Sequence, residues 1–187
     1  MINEKDIVTL IEQDEWMMNI LRAAKNLNLP DWWICAGFVR SKIWDTTHGF
    51  RERTPLDDID VVYFDSANIE ESVEKQLEDK LRSQLAGIPW SVKNEARMHL
   101  VNEFPPYSST IDAISKFPET ATALGVKLNE KNEVILCAPH GVDDVIEGII
   151  KPTPFFTKSE DRMKIFSTRI TKKNWKAIWE NLKISYH

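Results

Sequence analysis

Residues 57 to 64 read Asp-Asp-Ile-Asp-Val-Val-Tyr-Phe, three carboxylates at the head of a run otherwise suited to the inside of a sheet. An unpaired carboxylate removed from water costs several kcal/mol. A bound cation is the strongest reason for keeping aspartates there. Side chains alternate along a strand, so Asp58 and Asp60 share one face while Ile59 and Val61 take the other. Their spacing of about 6.6 Å suits a pair of divalent ions about 3.5–4 Å apart. An all-oxygen donor set with no nearby histidine or thiol favours Mg2+ or Mn2+ over zinc. Asp57 points the other way and reads as a turn or solvent residue. A strand that merely begins in water after a turn would explain the same aspartates, so a second feature has to decide.

The elements around this run alternate. Asn3 and Asp14 are N-cap residues for two short helices within 3–27, and "NLP" at 28–30 ends them. "WWICAG" (32–37) is a short apolar run closing on glycine, as a buried strand entering a loop would be. "VRSKIWD" follows as one or two helical turns, then a polar loop over 46–57. Val73, Leu77, Leu81 and Leu85 form an apolar stripe on a helix over 69–85. A third strand lies within 88–98 and ends near Glu95. Short helices are expected over 109–115 and 118–124, a hairpin over 125–139, and a helix in "VDDVIEGII". The tail from Thr157 reads as helical, with Trp175, Ile178, Trp179 and Leu182 on one apolar face. Strands and helices in this order give an α/β (α+β) fold with a small mixed sheet. One domain over 1–187 is expected, with a core over about 30–150 and a C-terminal helical extension over 151–187.

A net charge of -5 argues against a broad nucleic-acid-binding surface, though not against a local basic patch. Cys35 and Cys137 both sit in apolar, strand-like stretches and read as reduced core thiols. The first ten residues carry acids where a signal peptide has a basic region, and no run of about 20 apolar residues could cross a membrane. The expectation is a soluble, cytoplasmic protein.

The second feature is the segment that precedes the acidic strand. Gly37 stands at a strand-to-helix turn, where a missing Cβ lets a phosphate approach the backbone and the next helix offers its free N–H groups. Arg40 and Ser41 add a cation and a hydroxyl. A glycine turn followed by aspartate–hydrophobe–aspartate resembles the nucleotidyltransferase superfamily of DNA polymerase beta. "AGFVRSKIWD" followed by "DIDVV" is more closely similar to "GGxVRDxLLG" followed by "DIDL" in tRNA CCA-adding enzymes and poly(A) polymerases. Gly37, Val39, Arg40, Asp58 and Asp60 match. Ala36 replaces the first glycine, Ser41 replaces an aspartate, and Phe38 takes the place of the glycine or serine of the broader pattern. Nearly the whole chain resembles a small bacterial family known only as nucleotidyltransferase-like.

The resemblance implies transfer of a nucleotidyl group from a nucleoside triphosphate to an acceptor hydroxyl by two magnesium ions on Asp58 and Asp60. The acceptor, whether small molecule, RNA or protein, is left open. A third carboxylate is implied on the next strand, and two candidates compete. Glu95 ends the third strand on the face of Lys93, and a salt bridge to Arg97 or Lys93 is its structural alternative. Asp112 follows the loop "PPYSST", and its alternative is the N3 acid of a helix cap. Lys93 and Asn94 are candidates to meet the triphosphate, with solvated strand-edge polar groups as the default alternative. His48, Arg51 and Arg53 in the polar loop could neutralise phosphate charge, with a solvated surface loop as their alternative. His140 beside Asp143 and Asp144 needs no chemistry beyond a hairpin end and a helix cap. A catalytically degenerate member of the same fold, binding nucleotides or partners, is the competing reading, and a tryptophan-rich interaction module is a third.

Overall fold

The computed structural model describes residues 2–187. In chain order the elements begin α1 (Glu4–Glu12), α2 (Glu15–Lys25), β1 (Trp33–Cys35), α3 (Gly37–Thr47), β2 (Ile59–Tyr63), α4 (Glu71–Gln84) and β3 (Trp90–Asn94). They continue with α5 (Glu95–Asn102), α6 (Thr110–Ser115), β4 (Gly125–Leu128), β5 (Val134–Cys137), α7 (Asp143–Ile146) and β6 (Ile149–Ile150). The chain closes with α8 (Pro154–Thr157), α9 (Glu160–Lys173), a 3-10 turn over Trp175–Ala177, and β7 (Lys183–Ile184).

Five strands form one mixed sheet in the order β3-β2-β1-β4-β5. Within this sheet only the β2–β3 pair is parallel, and α4 provides the crossover it needs. The two faces of the sheet differ. Ile34, Ile59, Val61, Trp90, Val92 and Val126 join the main core with the apolar sides of the surrounding helices. Trp33, Cys35 and Val62 alternate onto the other face, where Ile114, Ala123 and Cys137 cover part of it. Asp60 shares that second, thinner face. This mixed α/β architecture is the expected one, and β1, β2 and β3 are neighbours as the sequence implies.

The helix starts follow local chemistry. The Asn3 side chain accepts from the N–H groups of Lys5 and Asp6, and Asp14 accepts from Met17. Several expectations need correction. The segment after "WWICA" forms three helical turns, not one or two, because Ile43 and Trp44 find core partners on its buried side. The third strand stops at Asn94, whose side chain caps Ala96 N–H at 3.1 Å, so Glu95 opens a helix instead of ending a strand. Residues 118–124 are not helical: Glu119 bridges Pro152, and the Thr120 N–H goes to the Lys151 carbonyl. In the tail, Trp175, Trp179 and Leu182 are buried as expected, but on turns, and Ile178 is 45% exposed.

Ala36, the N-cap of α3, has φ +54° and ψ −118°. An L side chain is strained there by roughly 1–3 kcal/mol, and glycine is not. Its carbonyl nevertheless accepts from both Val39 and Arg40, so the helix start holds the conformation in place. Ala36→Gly should therefore stabilise the protein by about 1 kcal/mol, as measured by urea unfolding. A destabilised variant would show that the turn is not strained.

Candidate active site

Asp58 and Asp60 lie at the head of β2 and line one cleft of about 350 Å³. Gly37, Arg40 and Ser41 from the β1–α3 turn form one side of it. Thr54 to Asp57 form a second side, and Arg169, Lys173, Trp175, Ile178 and Trp179 close it from the C-terminal segment. Asp57 is at this rim rather than facing away, because the strand begins only at Ile59 and alternation does not yet apply.

The turn is built for close approach. A Cβ on Gly37 would lie 3.3 Å from Nη2 of Arg40, so glycine leaves room for the guanidinium beside the backbone. Among the described residues the N–H groups of Gly37 and Phe38 find no acceptor, and these are the first free donors of α3. Phe38 does not obstruct them. Its ring is buried, 6.1 Å from that of Trp16, on the core side of the helix.

Arg40 is 8% exposed and has no carboxylate partner. One terminal nitrogen donates to Ser41 Oγ at 3.2 Å, and its Nε has no partner. Aromatic faces compensate. The guanidinium carbon lies 4.3 Å from the Trp175 ring centre and 5.1 Å from that of Trp44. Burial pulls the Arg40 pKa down to about 10, with Glu119, Asp60 and Asp58 opposing the fall, so it stays cationic at neutral pH.

The loop leading to the aspartates is tied down by Asp45. This buried carboxylate accepts from Thr54 N–H at 2.9 Å, Thr54 Oγ1 at 2.6 Å and Trp179 Nε1 at 2.9 Å. Loop and tail are thus fixed to the same helix.

Burial, then the charge of Asp58, raises the Asp60 pKa to about 6, while Arg169, Lys173 and Arg40 restrain the rise. Burial, then Asp60 and Glu74, raises Glu95 to about 8. Glu95 is buried and has no hydrogen-bond partner among the described residues. It lies near enough to feel Asp60, although no three carboxylates, histidines or thiols among the described residues converge as a metal-binding group.

Other candidates fall elsewhere. Asp112 accepts from Ser108 N–H and pairs with Lys116 at 2.9 Å, which is the helix-cap alternative, and it is absent from the cleft wall. The Lys93 ammonium sits 3.9 Å from Glu74, also outside the cleft. The Asn94 amide braces the backbone of Asp65 and Asn68. Arg53 grips Asp14 at 2.7 Å over the face of Trp16, and His48 is held between the Trp44 carbonyl and Asn181 N–H. Besides Arg40, two cations reach the cleft that the sequence analysis does not name, Arg169 and Lys173. Their spacing of one helical turn within "TRITKKNW" is the signal that could have found them.

A family model described as nucleotidyltransferase matches residues 22–184. The chain belongs to this nucleotidyltransferase family. It is also similar to a CCA-adding enzyme head domain solved by NMR, with 36% identity and a TM-score of 0.87 over 99% of this chain and 97% of that one. A CCA-adding enzyme in complex with CTP aligns at 16% identity and TM-score 0.55, over 98% of this chain and 43% of that one. The Thermotoga maritima CCA-adding enzyme complexed with tRNA aligns at 15% identity and TM-score 0.57, over 98% of this chain and 42% of that one. The chain thus spans less than half of those two enzymes, and at such identity they share its fold alone. No curated protein matches the sequence. Membership of the nucleotidyltransferase family gives nucleotidyl transfer as the general class of chemistry. No helix among the described residues is long and apolar enough to cross a membrane.

The raised carboxyls give the protein a pH signature. Both hold protons more tightly folded than unfolded, so the native state binds more protons and stability falls as pH rises. For Asp60 the fall spans 3.8 to about 6, and for Glu95 it spans 4.5 to about 8. The metal-free protein should lose several kcal/mol in all across this window in urea unfolding at fixed ionic strength. Glu95→Gln should remove the decline above Asp60's range. A flat profile in the wild type would contradict the placement of both groups.

Proposed function

We propose that the protein transfers a nucleotidyl group from a nucleoside triphosphate to an acceptor hydroxyl. The observation that carries this reading is the convergence of Asp58 and Asp60 with the donor-bearing Gly37 turn on one cleft. Two carboxylates suit Mg2+ or Mn2+, which take one or two protein carboxylates and complete their shell with water and phosphate oxygens. Held by Asp58 and Asp60, such ions would neutralise phosphate charge and acidify the attacking hydroxyl.

The chain's own groups do the rest. The N–H groups of Gly37 and Phe38, with Ser41 and the Arg40 guanidinium, hold the triphosphate. Attack forms a bond from the acceptor oxygen to the α-phosphorus. The bond from that phosphorus to the bridging oxygen breaks, and its electron pair departs with pyrophosphate. The acceptor proton goes to a carboxylate or to water. Glu95 is the preferred carboxylate: it is buried within reach of Asp60's charge and has no hydrogen-bond partner among the described residues. Because burial keeps it protonated at neutral pH without metal, it would take the proton only once cations on Asp58 and Asp60 lower its pKa. Asp112 is already engaged at its helix start.

Millimolar Mg2+ or Mn2+ with a triphosphate should raise the melting temperature of the wild type by mass action. Asp60→Asn should abolish that gain while raising the melting temperature of the metal-free protein, since it removes a partly buried carboxylate repelled by Asp58. A variant that melts lower without metal, and a wild type that ignores metal and nucleotide, would make the pair scaffold. Gly37→Val should abolish binding of magnesium-ATP in calorimetry by displacing Arg40 and covering the free N–H groups. Among the described residues no third carboxylate converges with the pair as a metal-binding group, and this favours a second reading, nucleotide binding without transfer. Release of labelled pyrophosphate during turnover separates the two.

A further inference from the structure

Glu119 is fully buried, and its side chain has two partners among the described residues. Oε2 accepts from the Thr122 hydroxyl at 2.7 Å, and Oε1 accepts from Arg169 Nε at 2.6 Å. Folding alone gives little reason for such a group, because an apolar side chain of similar volume usually serves a core as well as a buried ion pair. The arrangement does have a consequence at the cleft. Arg169 is anchored through Nε, and neither terminal nitrogen has a partner among the described residues. A guanidinium fixed this way presents a preorganised fork of donors, the geometry that matches phosphate oxygens.

The position of the fork identifies what it meets. Arg169 and Lys173 lie one turn apart on α9 and line the cleft together with Asp58 and Asp60. No ion pair joins either cation to either aspartate, and Lys173 pairs with no carboxylate among the described residues. Opposite charges therefore face each other across open space. A polyphosphate fills such a gap, with divalent ions on the aspartate side and cations on the other.

We propose that Arg169 binds the β- and γ-phosphates of the triphosphate, and hence the departing pyrophosphate, and that Glu119 is the positioning residue that aims it. The inference rests on the nucleotidyl-transfer reading. It adds a phosphate subsite on the C-terminal helix, where the segment that fixes Arg40 also supplies a second guanidinium.

The test uses magnesium pyrophosphate and magnesium-ATP as probes, with affinities from calorimetry on the full chain. Arg169→Ala should weaken pyrophosphate binding about tenfold or more, and Arg169→Lys should fall between it and the wild type, since lysine restores charge without the fork. Glu119→Gln is decisive by sign. Simple electrostatics predicts that removing a negative charge beside an anion site tightens binding, whereas loss of positioning predicts that binding weakens, by about fivefold. Glu119→Gln should add nothing further to Arg169→Ala. Tighter or unchanged binding in Glu119→Gln would overturn the positioning role, and unchanged binding in Arg169→Ala would overturn the subsite. If Glu119→Gln does not fold, the two Arg169 variants decide the subsite, since that side chain is one-third exposed. A wild type that binds neither probe would overturn the nucleotidyl-transfer reading itself, whereas full wild-type affinity with unaffected variants would overturn only this inference.

Discussion

A guanidinium removed almost wholly from water needs compensation, and Arg40 receives it from tryptophan faces rather than from a carboxylate. Much of the cleft follows from that choice. Any side chain at position 37 would press on the guanidinium beside it, so glycine lets Arg40 keep its place. The C-terminal segment must return to the cleft, because Trp175 and Trp179 complete the aromatic wall. The charge also stays available. A carboxylate in hydrogen-bonding contact would have neutralised Arg40, whereas π faces stabilise it and leave its Nε without an acceptor.

Asp45 plays the complementary part for the backbone. By accepting from Thr54 and from Trp179, it ties the loop that carries Asp57 and Asp58 to the tail that carries Arg169 and Lys173. The acidic and basic walls of the cleft are thereby referred to one helix, α3, whose first turn supplies the free N–H groups. Distances between these walls are set by buried hydrogen bonds rather than by surface ion pairs, which contribute little.

The parts legible in the sequence are those fixed by local rules. Asn3 and Asp14 announce their helices by capping chemistry, and the alternation of Ile59, Asp60 and Val61 gives the strand and turns Asp60 away from the main core. Gly37 was legible because a glycine at a strand-to-helix turn has a physical purpose. The strain at Ala36 was not, since alanine carries no local sign of a positive φ. What escaped depends on pairs distant in sequence. Residues 118–124 read as a short helix, yet the Glu119 backbone bridges Pro152 and its carboxylate meets Arg169, 50 residues away. Lys93 and Arg53 stood between phosphate ligands and solvated surface groups because no local pattern shows that Glu74 and Asp14 lie beside them.

The central claim is that Asp58 and Asp60 hold a divalent cation against a triphosphate seated on the Gly37 turn. The most direct measurement is a crystal structure of the protein with Mn2+ and a non-hydrolysable triphosphate, using the anomalous signal of manganese. The account predicts an anomalous peak within coordination distance of both carboxylates and of a phosphate oxygen, with the phosphates at the first turn of α3. A triphosphate ordered elsewhere on the surface, with manganese absent from Asp58 and Asp60, would contradict it.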